Sequence, residues 1–243
     1  MCEFFSFITE PEYHGGQRFY FDWDMRKADL KVEADSHSTI AKHFGLNEDK
    51  CNKYEYNPLT GEFKVDQINS DVDDSIQAEE WVRKLDFKKV VEPLIVKPIV
   101  HPFRLPKVEL VTDEQIAWLK QWASVVDSVR ASVWVSVRAS VGESVWDSVG
   151  ASVRASVGVS VWASVWASVW DSVRDSVWAS VRASVGAYTS SFFSVKYDYD
   201  FSPCIKLVEA GLVPSLDGTT WRLHSGKKAD VVYEWTPESE VER

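Results

Sequence analysis

The first residue able to do covalent chemistry is Cys2, directly behind Met1. Loss of Met1 would expose a cysteine with a free α-amine, and the reference pKa of that amine, about 7.7–8.0, suits a general base. This is the chemistry of an N-terminal-nucleophile hydrolase or amidotransferase, although Glu3-Phe4 follows where such amidotransferases usually carry glycine. A buried strand cysteine explains the same residue without catalysis. His37 and Asp35 could complete a Cys2–His37–Asp35 constellation, but a helix-capping Asp35 and surface histidines account for them more simply. His37 and His43 are six residues apart, not the i, i+4 spacing of a metal-binding pair on one helical face. Asp71-Val72-Asp73-Asp74 lacks the glycine and terminal glutamate of a calcium loop. The sequence carries no phosphate loop, dinucleotide fingerprint or nucleophile elbow. No metal and no cofactor is therefore expected.

Recognition is the second chemistry on offer. Residues 123–186 are 16 tandem copies of Ala/Asp-Ser-Val-Trp/Arg/Gly. Serine recurs at every fourth residue from Ser124 to Ser184, and valine from Val125 to Val185, without exception. The fourth column holds Trp134, Trp146, Trp162, Trp166, Trp170 and Trp178 together with Arg130, Arg138, Arg154, Arg174 and Arg182. Facing outward, indoles stack on sugars or bases and guanidinium groups add charge. The column is a candidate surface for a protein or small-ligand partner, or for self-association. Plain stacking of Trp on Trp is the structural alternative. Trp, Arg and Gly codons ending in GG differ only in their first base, so the column drifts by single substitutions while Ser and Val stay in place.

The period suggests which element positions this column. In an α-helix four residues advance about 400°, so each column drifts roughly 40° per copy and the valine stripe finds no fixed partner. Val, Ser and Trp are mediocre helix formers, and Gly142, Gly150, Gly158 and Gly186 add to the cost. Over the array the intrinsic penalty is on the order of 20 kcal/mol. A β-solenoid instead stacks Val on Val, worth roughly 1.5–3 kcal/mol per side chain, beside ladders of serine hydroxyls. The expected fold is mainly β, with a tetrapeptide-repeat β-solenoid over 123–186. Acidic residues in the first column, in 5 of 16 copies, then have to sit at wet corners. The capping-box pattern Thr112-Asp113-Glu114-Gln115 just upstream argues for a helix instead.

Residues 1–86 read as a small α+β domain. Strands are expected in Cys2–Thr9 and Gln17–Trp23, and a helix capped by Asp35 or Ser36 runs through Phe44 to Gly45. Lys53–Tyr56 and Glu62–Ile68 flank a hairpin turn at Asn57-Pro58-Leu59-Thr60-Gly61, and Asp73-Asp74-Ser75 opens a further helix. Residues 87–122 read as a proline-rich extended linker ending in a short helix from Ile116 to about Trp122. Residues 187–243 read as a C-terminal cap: a helix from Ser202-Pro203 to Gly211, then a hairpin of Thr220–His224 and Ala229–Trp235.

The net charge of −10 lies entirely in the flanks, because five Arg balance five acids within the repeat. That speaks against non-specific binding of nucleic acid or of an anionic membrane. Three cysteines without a CxxC pair favour a reducing compartment. The N-terminus lacks a signal-peptide pattern and no stretch of about 18 apolar residues occurs. A cytoplasmic location is expected, in the host if the chain is phage-encoded.

Met1-Cys2-Glu3-Phe4-Phe5-Ser6-Phe7, Asp35-Ser36-His37-Ser38-Thr39-Ile40 and Phe44-Gly45-Leu46 carry a resemblance over roughly residues 1–86. In these segments, and in its tandem Asp/Ala-Ser-Val-Trp/Arg/Gly array, the chain resembles a group of tailed-phage and gut-bacterial proteins of unassigned activity. Eight-residue repeats in that group are similar to those of ice-nucleation proteins, which implies a β-solenoid. The Trp/Arg/Gly column lacks the Thr-x-Thr rows of ice binders. Together these readings point to a non-enzymatic, cofactor-free, phage-type recognition or scaffold protein acting through an outward Trp/Arg column. The alternatives are a Cys2-dependent hydrolase or amidotransferase, and an inhibitor of host defence that binds a protein or nucleotide.

Overall fold

A computed structural model describes residues 5–11, 16–21, 36–90, 94–129, 149–155, 165 and 174–237, without the side chains of 127–129 and 174–178. The chain forms two compact units, Met1–Pro98 with Val141–Val149, and Ile99–Ser140 with Gly150–Arg243.

In the first unit, alternation along β1 (Phe5–Glu10) sorts its side chains onto two faces. Phe5 and Phe7 point one way, Phe7 meeting Trp81 of α2 (Ser75–Val82) and Phe5 meeting Phe87 of α3 (Phe87–Val90), at centroid distances of 5.0 and 5.3 Å. Ile8 points the other way, into a cluster with Ile40, Ala41 and Cys51, the first two from α1 (His37–His43). β2 (Arg18–Tyr20), β3 (Asn52–Asn57) and β4 (Glu62–Gln67) complete an antiparallel sheet of order β2-β1-β3-β4. The β3–β4 turn forms where expected. The Asn57 side-chain oxygen accepts the amides of Leu59 and Thr60, and Gly61 supplies the positive φ of 73°.

The second unit begins at the proline-rich segment, which lies along it and is interrupted by a 3-10 turn at Pro102–Arg104 where only extended chain was expected. The Val100 amide donates to the Tyr188 hydroxyl (2.7 Å), the Val108 amide to Ser225 Oγ (3.0 Å), and Lys107 pairs with Asp230 (2.7 Å). The capping box closes reciprocally: the Thr112 amide donates to Gln115 Oε1 and the Gln115 amide to Thr112 Oγ1. Its helix, α4 (Asp113–Val129), does not stop near Trp122 but continues into the repeat. α5 (Arg174–Ser190) carries the last repeats, and α6 (Ser202–Glu209) begins at Ser202-Pro203 as expected. A three-stranded antiparallel meander follows: β5 (Val213–Leu216), β6 (Trp221–Ser225) and β7 (Asp230–Trp235). Val165 and Val181 of the repeat are buried with Phe103, Val213 and Ala229.

The expectation of a mainly β chain is overturned. The fold is mixed α+β with 40% of it helical, and no solenoid is present among the described residues. Repeat residues 123–129, 149–153, 165 and 174–186 are α-helical. The physical reason lies in the period itself. Four residues is the register of the helical i→i−4 hydrogen bond, so a serine can donate back to the carbonyl of the serine one copy earlier. Ser184 Oγ does this to Ser180 O at 2.9 Å. The propensity penalty applies to an isolated helix, and burial of the valines against the sheet offsets it.

Val181 is 1% exposed, whereas Arg182 faces solvent. Val181→Ala is expected to lower the unfolding free energy by about 2 kcal/mol, and Arg182→Ala to change it by no more than about 0.5 kcal/mol. Urea titrations check the pair. Equal losses at both positions would contradict the helical phase.

Candidate functional site

Three polar clusters, two of them buried and one reaching the surface at Lys64 and Asp66, lie in the two units. The first is built on the β3–β4 hairpin. Glu55, 3% exposed, stands opposite Ser6 on β1 and opposite Lys64 on β4, whose ammonium lies 2.9 Å from Glu55 Oε2. The pairing slips between Lys53 and Tyr54: Lys53 opposes Gln67 while Tyr54 opposes Val65, leaving Asp66 as the extra residue of a β-bulge. α1 brings the third group. Ser36 caps this helix by accepting the Thr39 amide (3.2 Å), which sets His37 as its first residue. The buried His37 ring has Nε2 3.0 Å from the Tyr54 carbonyl and Nδ1 3.5 Å from Asp66 Oδ2. One ligand atom each from His37, Glu55 and Asp66 lies within 4.8 Å of the others.

On the opposite face of the sheet, Asp74 at the start of α2 collects three donors. Tyr54 Oη and Asn52 Nδ2 (2.8 Å) donate to its Oδ1, and Gln17 Nε2 (2.5 Å) to its Oδ2. Burial and the Asp74 carboxylate drive the Tyr54 hydroxyl far above its usual range. Every strong acceptor here is occupied, so the cluster is an anchor for α2.

The third cluster superficially has the geometry of a nucleophile and its base. Ser215 Oγ lies 2.7 Å from His224 Nε2, and His224 Nδ1 lies 3.0 Å from the Ala229 carbonyl. A carbonyl only accepts, so Nδ1 carries the proton and Ser215 donates to Nε2. Both residues are 0% exposed, which removes them from any substrate. Their work is structural: the His224 bond secures Ala229, which has a φ of 52°.

In comparisons with family models, curated proteins and solved structures, no match was found.

Of the residues singled out in the sequence, Cys2, Asp35, Trp134, Trp146, Trp162, Trp166, Trp170, Arg130 and Arg138 lie outside the described residues, as do the side chains of Trp178 and Arg174. His37 is described, and its ring is engaged by Tyr54 and Asp66. Arg154 and Arg182 are exposed. Burial pushes the thiols of Cys51 and Cys204 up to about 11 and about 12, so neither is a ready nucleophile. Glu55 and Asp66 carry no motif in the sequence. The signal that would have found them is the hairpin alternation, which puts Glu55, Lys64 and Asp66 on one face.

Burial holds His224 below its ordinary value, against the opposing Ala229 hydrogen bond, and burial followed by Arg104 does the same to His101. A base depressed in the folded state contributes stability that is complete above its unfolded pKa, near about 6.5, and is lost as the pH falls. Unfolding free energy is expected to decline from pH 7.5 to pH 5, by at most about 1.4 kcal/mol per pH unit for each histidine. His224→Gln offers an acceptor to Ser215 and a donor to the Ala229 carbonyl without a titrating ring, and should flatten that decline in urea titrations. An unchanged pH profile in the variant would assign the proton uptake elsewhere.

Proposed function

We propose that the protein is a non-enzymatic recognition or scaffold module whose repeat helices offer the exposed members of their variable column to a partner. One observation carries this reading. In two separate stretches of the array, Ser152-Val153 and Ser180-Val181 are buried while the next residue, Arg154 or Arg182, is exposed. At these two copies the invariant residues serve packing and the variable one meets solvent, whereas Val126, Gly150 and Gly186 of the same variable column are buried and Ser124 is exposed. The display therefore rests on helices and not on stacked β coils. The tailed-phage resemblance supports a module of this kind, and the net charge of −10 speaks for a protein or small-ligand partner over nucleic acid. Free, buried Cys51 and Cys204 fit a reducing cytoplasm, that of the host for a phage-encoded chain.

The test reverses the two exposed charges together, as R154E/R182E. Wild type is expected to enter a complex, either with itself in sedimentation velocity or with a protein cross-linked in a host lysate. The double variant should lose that complex by roughly tenfold or more, at unchanged circular dichroism. A complex indifferent to both substitutions would refute the reading. So would a hydrolytic activity that disappears in Cys2→Ala.

A further inference from the structure

We propose that His37, Glu55 and Asp66 form a binding site for a first-row divalent cation, with zinc the best match to the donor set. The Tyr54 carbonyl accepts a hydrogen bond and cannot donate one, so the proton on Nε2 is committed to it at 3.0 Å. In the neutral ring, Nδ1 then presents a lone pair to Asp66 Oδ2, another lone-pair donor, 3.5 Å away. Two such atoms face each other at that distance only with a proton or a cation between them. A ring nitrogen held on a backbone carbonyl while the other faces carboxylates is the arrangement that orients metal-ligating histidines.

The spacing agrees. Ligands at zinc bond lengths in a tetrahedron are roughly 3.3–3.6 Å apart. The His37–Asp66 distance is already 3.5 Å, and the full set lies within 4.8 Å. One imidazole and two carboxylates balance the charge of a divalent ion and leave a fourth position for water. An independent observation points to the same place. Ser6 Oγ is buried without a hydrogen-bond partner, and Ser6 is 3% exposed on the strand position directly opposite Glu55. Cross-strand partners project from the same face of a sheet, so this hydroxyl is aimed at the cluster and can bond the fourth-position water. Asp66, the bulged residue, has a side chain 35% exposed and gives the ion a way in. The competing arrangement uses cations of the chain alone, an imidazolium facing Asp66 and the Lys64 ammonium on Glu55.

The experiment distinguishes the two. Untagged full-length protein is stripped with a chelator and titrated with Co2+, followed by displacement with Zn2+. One Co2+ per chain is expected, with visible absorption bands of a low-coordinate site that zinc abolishes. E55Q and D66N should each weaken binding by more than roughly tenfold. K64M removes the ammonium that competes for Glu55 and should strengthen it. Asp66 is partly exposed, so D66N tests the site even if E55Q fails to fold; circular dichroism verifies each variant. No stoichiometric binding by wild type, or equal binding by wild type and D66N, overturns the proposal.

Discussion

The outer edge of β5 is closed by hydroxyl groups from a helix, and the second unit is arranged around that closure. An edge strand leaves alternate N–H and C=O groups without a partner. On β5 the Leu216 amide donates to Ser180 Oγ at 2.9 Å, and the Ser184 hydroxyl, bonded to Ser180 O, also reaches the Pro214 carbonyl at 3.4 Å. The match is metrical. Two residues along a strand span about 6.7 Å, and four residues along a helix rise about 6 Å. A serine every fourth residue therefore meets a strand edge group every second residue. Pro214 has no N–H to offer, which suits it to an edge position and to a partner that supplies a donor.

Several features of the unit follow from this docking. With Ser180 and Ser184 held at the edge, Val181 is directed into the cluster of Phe103, Val165, Val213 and Ala229. Cys204 of α6 reaches the Ser184 carbonyl at 3.8 Å, so the same serine also ties the neighbouring helix. Behind β5, Ser215 donates to His224 and His224 secures the Ala229 turn. A chain of polar groups thus runs from the repeat through β5 and β6 to the last hairpin. Each member is buried and partnered, the condition under which such a chain specifies one arrangement.

What could be read in the sequence was local. Thr112 and Gln115, Ser36, and Asn57 with Gly61 each mark an element end through contacts within four residues and lie where expected; the Ser202-Pro203 helix starts where expected, but without a serine cap, since Phe201 is its N-cap and the Ser202 amide donates to Asp200. β5 went unread because a proline inside Val-Pro-Ser-Leu speaks against a strand until a helix is known to guard its edge. The repeat differs from its expected solenoid for a related reason. Propensity and stripe drift describe a helix standing alone, while its partner, a strand 30 residues beyond Ser184, leaves no trace in the period. The cluster on the first sheet was partly legible. His37 drew attention for its place near Asp35, but it meets Glu55 and Asp66 only through pairing of distant strands and through a bulge that no pattern announces.

The drift remains a real constraint on a period-four helix, and the fourth column shows how the sequence meets it. Each copy rotates the column by roughly 40°, so it cannot stay on one face. Where the column is exposed, at Arg154 and Arg182, the side chain is long and charged. Where it is buried, at Val126, Gly150 and Gly186, it is small or apolar. The Gly186 position follows Arg182 by one copy, and Gly150 precedes Arg154 by one, so a single step separates the outward and inward settings. Glycine in a helix costs about 1 kcal/mol relative to alanine, but a tryptophan or arginine turned into a packed interior would cost more through overpacking or an unpaired charge. Among the described positions the fourth column therefore follows size and charge along a rotating face. One base change converts a residue that suits solvent into one that suits the core.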